Sequence, residues 1–257
     1  MREFTSWLQS RRPLWRPVAT FLLGVTAVPT AGHATVVWQP GDLTSYNQAS
    51  WTTSTEGAAA LSNGYFSVYL SSFGVVEIGV PGNSGYSVQF TSPTTISEFI
   101  PTNGPPATLT ADLLDPVTTP GGIFAGDVLA LQMDIDFSDH GALSGSSGLF
   151  FGDLVVGGLT GTVSGLNGLS VRQIDAVANS ALGGGATGYT IDDLDLIAED
   201  LANSFDGGTV STWAQDHLAP VTASSVPEPF TWFETLVGFA GMGIVVRRRK
   251  AASKQFA

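Results

Sequence analysis

Leu129-Ala130-Leu131-Gln132-Met133-Asp134-Ile135-Asp136-Phe137 alternates large apolar residues with small or polar ones through nine positions. A period of two is the pattern of a β-strand with one dry face and one wet face. Working outward, Gly64–Leu70, Gly74–Val80, Tyr86–Phe90 and Ala107–Leu114 are short runs rich in aromatic or β-branched residues. Turn chemistry separates them, such as Pro81-Gly82-Asn83 and Asn103-Gly104-Pro105-Pro106. Leu149–Leu159 reads as a further strand pair broken by Gly152 and Gly157-Gly158. Short strands at this spacing predict a mainly β region over 35–167, a sandwich or jelly roll.

The period changes after residue 167. Ser170 with Gln173 forms a capping box ahead of an apolar stripe of Val171, Ile174, Val177, Ala178, Ala181 and Leu182, and Gly183 stops it. Thr190 with Asp193 opens a second stripe running to Phe205, with Asp192, Asp193 and Asp195 where a helix dipole favours negative charge. A short helix is expected over Thr212–Leu218. Residues 168–219 are therefore expected to be a helical hairpin plus one short helix, and 220–226 a linker.

Both ends of the chain read as addresses. Arg2, Arg11, Arg12 and Arg16 precede an apolar run from Val18 to Val28, and Thr30-Ala31-Gly32-His33-Ala34 supplies small residues before a cut after Ala34. This is the pattern of a secretory signal peptide over 1–34. Ser10-Arg11-Arg12-Pro13-Leu14-Trp15-Arg16 also has the look of a twin-arginine signal, so the export route stays open. At the other end, Val226-Pro227-Glu228-Pro229 leads into an apolar segment over 230–246, then Arg247-Arg248-Arg249-Lys250. That segment is at the short limit for one transmembrane helix, and the basic cluster is expected to hold its far end in the cytoplasm.

The C-terminal arrangement resembles the PEP-CTERM sorting signal of exported Gram-negative proteins. The resemblance covers residues 227–257 with the preceding Val226, and departs from the pattern at Glu234 inside the span and in the seven residues after Lys250. It implies recognition by a membrane exosortase, removal of the tail, and transfer of the ectodomain from the inner membrane to the cell surface or exopolysaccharide matrix. It implies nothing about ectodomain activity.

Charge is distributed unevenly. Of 22 acids, all but Glu3, Glu228 and Glu234 lie between the two addresses, whereas Arg172 is the lone base there out of 10. Residues 35–226 therefore carry close to −18 with no lysine, which argues against nucleic acid and anionic lipid as partners. The chain has no cysteine, which excludes disulfides and thiol chemistry, and no Asn-x-Ser/Thr sequon.

Candidate sites are few. On a strand, Asp134 and Asp136 would share one face roughly 7 Å apart, with Asp139 just beyond, a set that suits calcium if a loop adds oxygens. EF-hand spacing fails, because Asp139 stands where glycine is required. Gly183-x-Gly185-x-x-Gly188 matches a dinucleotide fingerprint formally but follows a helix instead of a strand. Asp139 beside His140 lacks a nucleophile elbow. Trp38, Trp51, Tyr65, Tyr69 and Tyr86 suit core packing or sugar stacking. The expectation is a non-enzymatic, acidic surface or biofilm-matrix protein, exported through a translocon, without a required cofactor. The alternatives are an exported polysaccharide-active hydrolase and a carbohydrate-binding module.

Overall fold

A computed structural model describes residues 37–221 apart from Ser144. Seven α-helices occur among the described residues: α1 (Gln48–Thr53), α2 (Thr55–Val68), α3 (Pro93–Phe99), α4 (Gly122–Asp139), α5 (Val171–Leu182), α6 (Ile191–Ala202) and α7 (Thr212–His217). Five short strands accompany them: β1 (Val76–Gly79), β2 (Ser87–Phe90), β3 (Leu113–Leu114), β4 (Val155–Val156) and β5 (Leu218–Ala219). The expected sandwich is not there. The described residues are about 49% helical and 9% strand, with sheets of two and three strands.

The stretch Leu129–Phe137 is the second half of α4, not a strand. The error has a physical cause. Helix α4 is buried nearly all round, Ala130 and Asp134 as deeply as Leu129 and Met133, so its few half-exposed positions are too sparse to mark a 3.6-residue period. Any regularity along such a helix is free to imitate a strand. Around it pack α1, α2, α5 and α6, with β1 on one flank. Trp51 sits between Tyr46 and Phe137 at ring-centroid distances of 5.2 and 4.9 Å.

Gly64–Leu70 is likewise not a strand but the end of α2 and the start of the 3₁₀ turn after it; α2 buries Leu61, Tyr65 and Val68 on one side. Ser54 starts that helix by accepting from the Gly57 N–H. Leu149–Leu159 forms a single 3₁₀ turn over Phe151–Asp153 and then β4, and Ala107–Leu114 yields only β3. The strands that do form are the antiparallel pair β1 and β2, in register Val76↔Phe90, Glu77↔Gln89 and Ile78↔Val88. Val76, Ile78, Val88 and Phe90 face the core, so Glu77 and Gln89 share the other face.

Helices α5 and α6 lie where the capping signals place them. Ser170 and Gln173 make both reciprocal bonds of a capping box, and the Thr190 hydroxyl accepts from the Asp193 N–H. The ends of the described fold are stitched together. Gln215 bonds both the N–H and the carbonyl of Trp38, and Trp38 Nε1 donates to the Leu218 carbonyl at 3.0 Å. Among the described residues no helix is long and apolar enough to cross a membrane; the segment 230–246 lies outside them, as do the expected signal peptide over 1–34 and sorting signal over 227–257.

Candidate functional site

A cleft of about 520 Å³ opens between the end of α2, the outer face of β1 and β2, and the C-terminal half of α4. Tyr69, Glu77, Gln89, Gln132, Asp136 and His140 line it. Each element contributes for a local reason. Strand alternation turns Glu77 and Gln89 outward as a directly opposed pair, and Gln89 Nε2 donates to Glu77 Oε1 at 3.0 Å. Helical spacing of four puts Gln132 and Asp136 on the one side of α4 that reaches solvent, and Gln132 Nε2 lies 3.0 Å from each Asp136 oxygen.

A relay of amides fixes that carboxyl. The Gly79 N–H donates to Asn179 Oδ1 at 2.7 Å, and Asn179 Nδ2 donates to Gln132 Oε1 at 3.4 Å. Strand β1, helix α5 and helix α4 are thereby tied to one Asp136 orientation. Burial raises the Asp136 carboxyl above its ordinary value, against the opposing bond from Gln132, while neighbouring Asp139 adds to the rise and His140 opposes it. Behind it lies Asp175, buried, with its Oδ1 unpartnered; burial first, and the nearby Asp136 charge second, push it well up. Tyr69, 6% exposed, brings its hydroxyl beside Asp136 without forming a well-aligned hydrogen bond. Burial raises that phenol strongly.

The residues expected to hold calcium separate. Asp134 is fully buried on the far side of α4, where Oδ1 accepts from the Tyr46 N–H at 2.8 Å beside Trp51. Burial raises it well above the ordinary carboxylate range. Asp136 lines the cleft. Asp139 pairs with Arg172 at 2.7 Å, and Arg172 also reaches Asp153 at 3.3 Å. A helix turns successive even positions to different sides, so the strand-face geometry behind the calcium set does not exist. Among the described residues no group of three or more histidine, aspartate or glutamate side chains is placed to hold a metal ion.

The two described histidines hold structure. His140 Nδ1 lies 2.8 Å from the Asp136 carbonyl and His217 Nδ1 lies 2.8 Å from the Gly157 carbonyl, so neither is oriented by a carboxylate. Gly183-x-Gly185-x-x-Gly188 is the loop joining α5 to α6. Trp38, Trp51, Tyr65 and Tyr69 are core residues, whereas Tyr86 is 43% exposed.

A second polar group is closed between α1, α4 and α6. Asp127 Oδ1 accepts from Gln48 Nε2 at 2.7 Å, and Gln48 Oε1 accepts from the Thr102 N–H at 2.9 Å. The remaining Asp127 oxygen and Asp195 Oδ1 have no other donor, and the two carboxyls sit against each other, an arrangement one shared proton satisfies. Burial, reinforced by the charges of Asp195 and Glu199, pushes Asp127 up to about 8; burial raises Asp195 to about 6.

Comparison with protein-family models, curated proteins and solved structures gives no match, so the functional reading rests on the residues themselves. Sequence reasoning missed Gln132, Asn179 and Asp175 as parts of a site. Their signal was present as spacings of four, Gln132 to Asp136 and Asp175 to Asn179, legible only once both stretches are read as helices.

Proposed function

We propose that the chain is an exported, acidic, non-enzymatic protein of the cell surface or exopolysaccharide matrix, sorted by a cleavable C-terminal signal. The observation that carries this reading is the order Val226–Pro229, apolar 230–246, Arg247–Lys250, matched by an export signal ending at Ala34.

Charge supports the location. Arg172, the sole base between the addresses, is already paired with Asp139 and Asp153, so the exported part presents acid to its surroundings. The partners that follow are the export translocon, an exosortase-type enzyme at the inner membrane, and matrix polysaccharide, with nucleic acid disfavoured. The competing reading is an exported hydrolase, favoured by Glu77 and Asp136 lining one cleft. Both carboxyls are engaged by glutamine amides, which suits binding better than proton transfer.

Replacing Pro227, Glu228 and Pro229 with alanine tests the proposal. The expected outcome is full-length protein retained in the inner membrane. Normal trimming and surface delivery of that variant would sink the sorting reading.

A further inference from the structure

We propose that the cleft bounded by Tyr69, Glu77, Gln89, Gln132 and Asp136 binds an uncharged sugar unit, with Phe73, on the turn that carries the lining residues Ser72 and Val75, as the stacking face. The proposed role in a matrix does not by itself require this site; it is carried by the cleft.

Its volume of about 520 Å³ is in the range of small-ligand sites. Its walls offer an unusual mixture for that size. Gln89, Gln132, Ser71 and Ser72 both donate and accept, and Glu77 and Asp136 accept. A ligand that answers all of them must itself donate and accept at several adjacent points, as the neighbouring hydroxyls of a sugar ring do. An anion is disfavoured, because the cleft contains no lysine or arginine and holds two carboxyls. A bare metal ion is disfavoured, because these two carboxyls are the extent of its acidic ligands and each already takes an amide donor.

Two further observations point to an occupant. The Tyr69 hydroxyl is buried at the cleft beside Asp136, near enough to interact with its carboxyl but without a well-aligned hydrogen bond. Phe73 is 96% exposed and sits in the left-handed region at φ 59°, ψ 31°, between the cleft residues Ser72 and Val75. An exposed aromatic held in a conformation that favours glycine or asparagine is unfavourable for folding twice over, by its surface and by its backbone. Both features make sense when a sugar places a hydroxyl against Tyr69 and an apolar ring face against Phe73.

The test uses protein purified from the producing cells. It is titrated calorimetrically with neutral tetrasaccharides of gluco-, manno- and galacto- type, and with tetragalacturonate as the anionic control. Saturable binding of a neutral tetrasaccharide is expected. Phe73→Asn should weaken it about three- to tenfold while leaving thermal stability equal or higher. Tyr69→Phe should also weaken it, again without loss of stability. The stability readout separates a binding role from a structural one, since loss of a structural contact would lower the melting temperature. Absence of binding to every neutral tetrasaccharide, stronger binding of tetragalacturonate, or binding unchanged in both variants would each overturn the proposal. Failure here leaves the sorting result untouched, and inner-membrane retention in the sorting experiment leaves the cleft untouched.

Discussion

Stability should fall as pH rises from 6 to 8, the reverse of what paired surface carboxylates produce. Asp127 titrates at about 8 in the folded chain against 3.8 as an ordinary aspartate, and its neighbour Asp195 at about 6. Between pH 6 and 8 the folded protein therefore keeps a proton on Asp127 that the unfolded chain has released. The stability this proton represents is complete below the unfolded value near 3.8 and is lost as pH rises through about 8. One proton corresponds to about 1.4 kcal/mol per pH unit, tapering to half that as pH reaches about 8, or about 2.3 kcal/mol across this window. Asp134 and Asp175, raised well above the ordinary range by complete burial, act in the same direction. Asp127→Asn isolates the pair. Its Oδ1 retains the bond from Gln48, and its amide donates to Asp195 as the shared proton did. Urea midpoints followed by tryptophan fluorescence at pH 6, 7 and 8 give the slope. The wild type should lose at least about 2.3 kcal/mol over this range, and the variant should lose about 2.3 kcal/mol less. Wild-type stability that is flat or rises from pH 6 to 8, or a slope unchanged in Asp127→Asn, would refute the buried-proton account.

Two packing predictions use the same denaturation assay. Trp51→Ala should cost about 3–5 kcal/mol, since Trp51 is wholly buried against Tyr46 and Phe137; Trp51→Phe should cost clearly less, because a benzyl ring keeps much of that aromatic packing. Gly126→Ala should destabilise by about 1–3 kcal/mol despite the better helix former, because the new methyl runs into the Gln48 carboxamide and detaches it from Thr102 and Asp127.

What the sequence discloses about this fold depends on how much solvent each element meets. Helices α5 and α6 border water, so their stripes and caps at Ser170 and Thr190 are written in one-sided patterns that can be read directly. The β1–β2 pair is legible for the same reason, with Val76 and Ile78 inward and Glu77 outward. Helix α4 meets water almost only at Gln132, Asp136 and its last residues, so its sequence records burial without direction, and an accidental alternation mimics a strand. That misreading generated the calcium set and, together with those of Gly64–Leu70 and Leu149–Leu159, the sandwich. In α2, Tyr65, Phe66, Val68 and Tyr69 favour strands locally, and tertiary packing of Leu61, Tyr65 and Val68 overrides that preference. The cleft was hidden for a further reason. It joins residues from Tyr69 to His140, and its orienting Asn179 comes from α5, so no local window of sequence contains it.

The most direct test of the account is the intact mass of the native protein in fractionated cells. A species beginning near Thr35 and ending near Pro227, recovered outside the inner membrane, is the predicted result; mass beyond that sequence would identify attached glycan or lipid. A species that retains Arg247–Lys250 and stays in the inner membrane would mean a permanent anchor, and would contradict the matrix role.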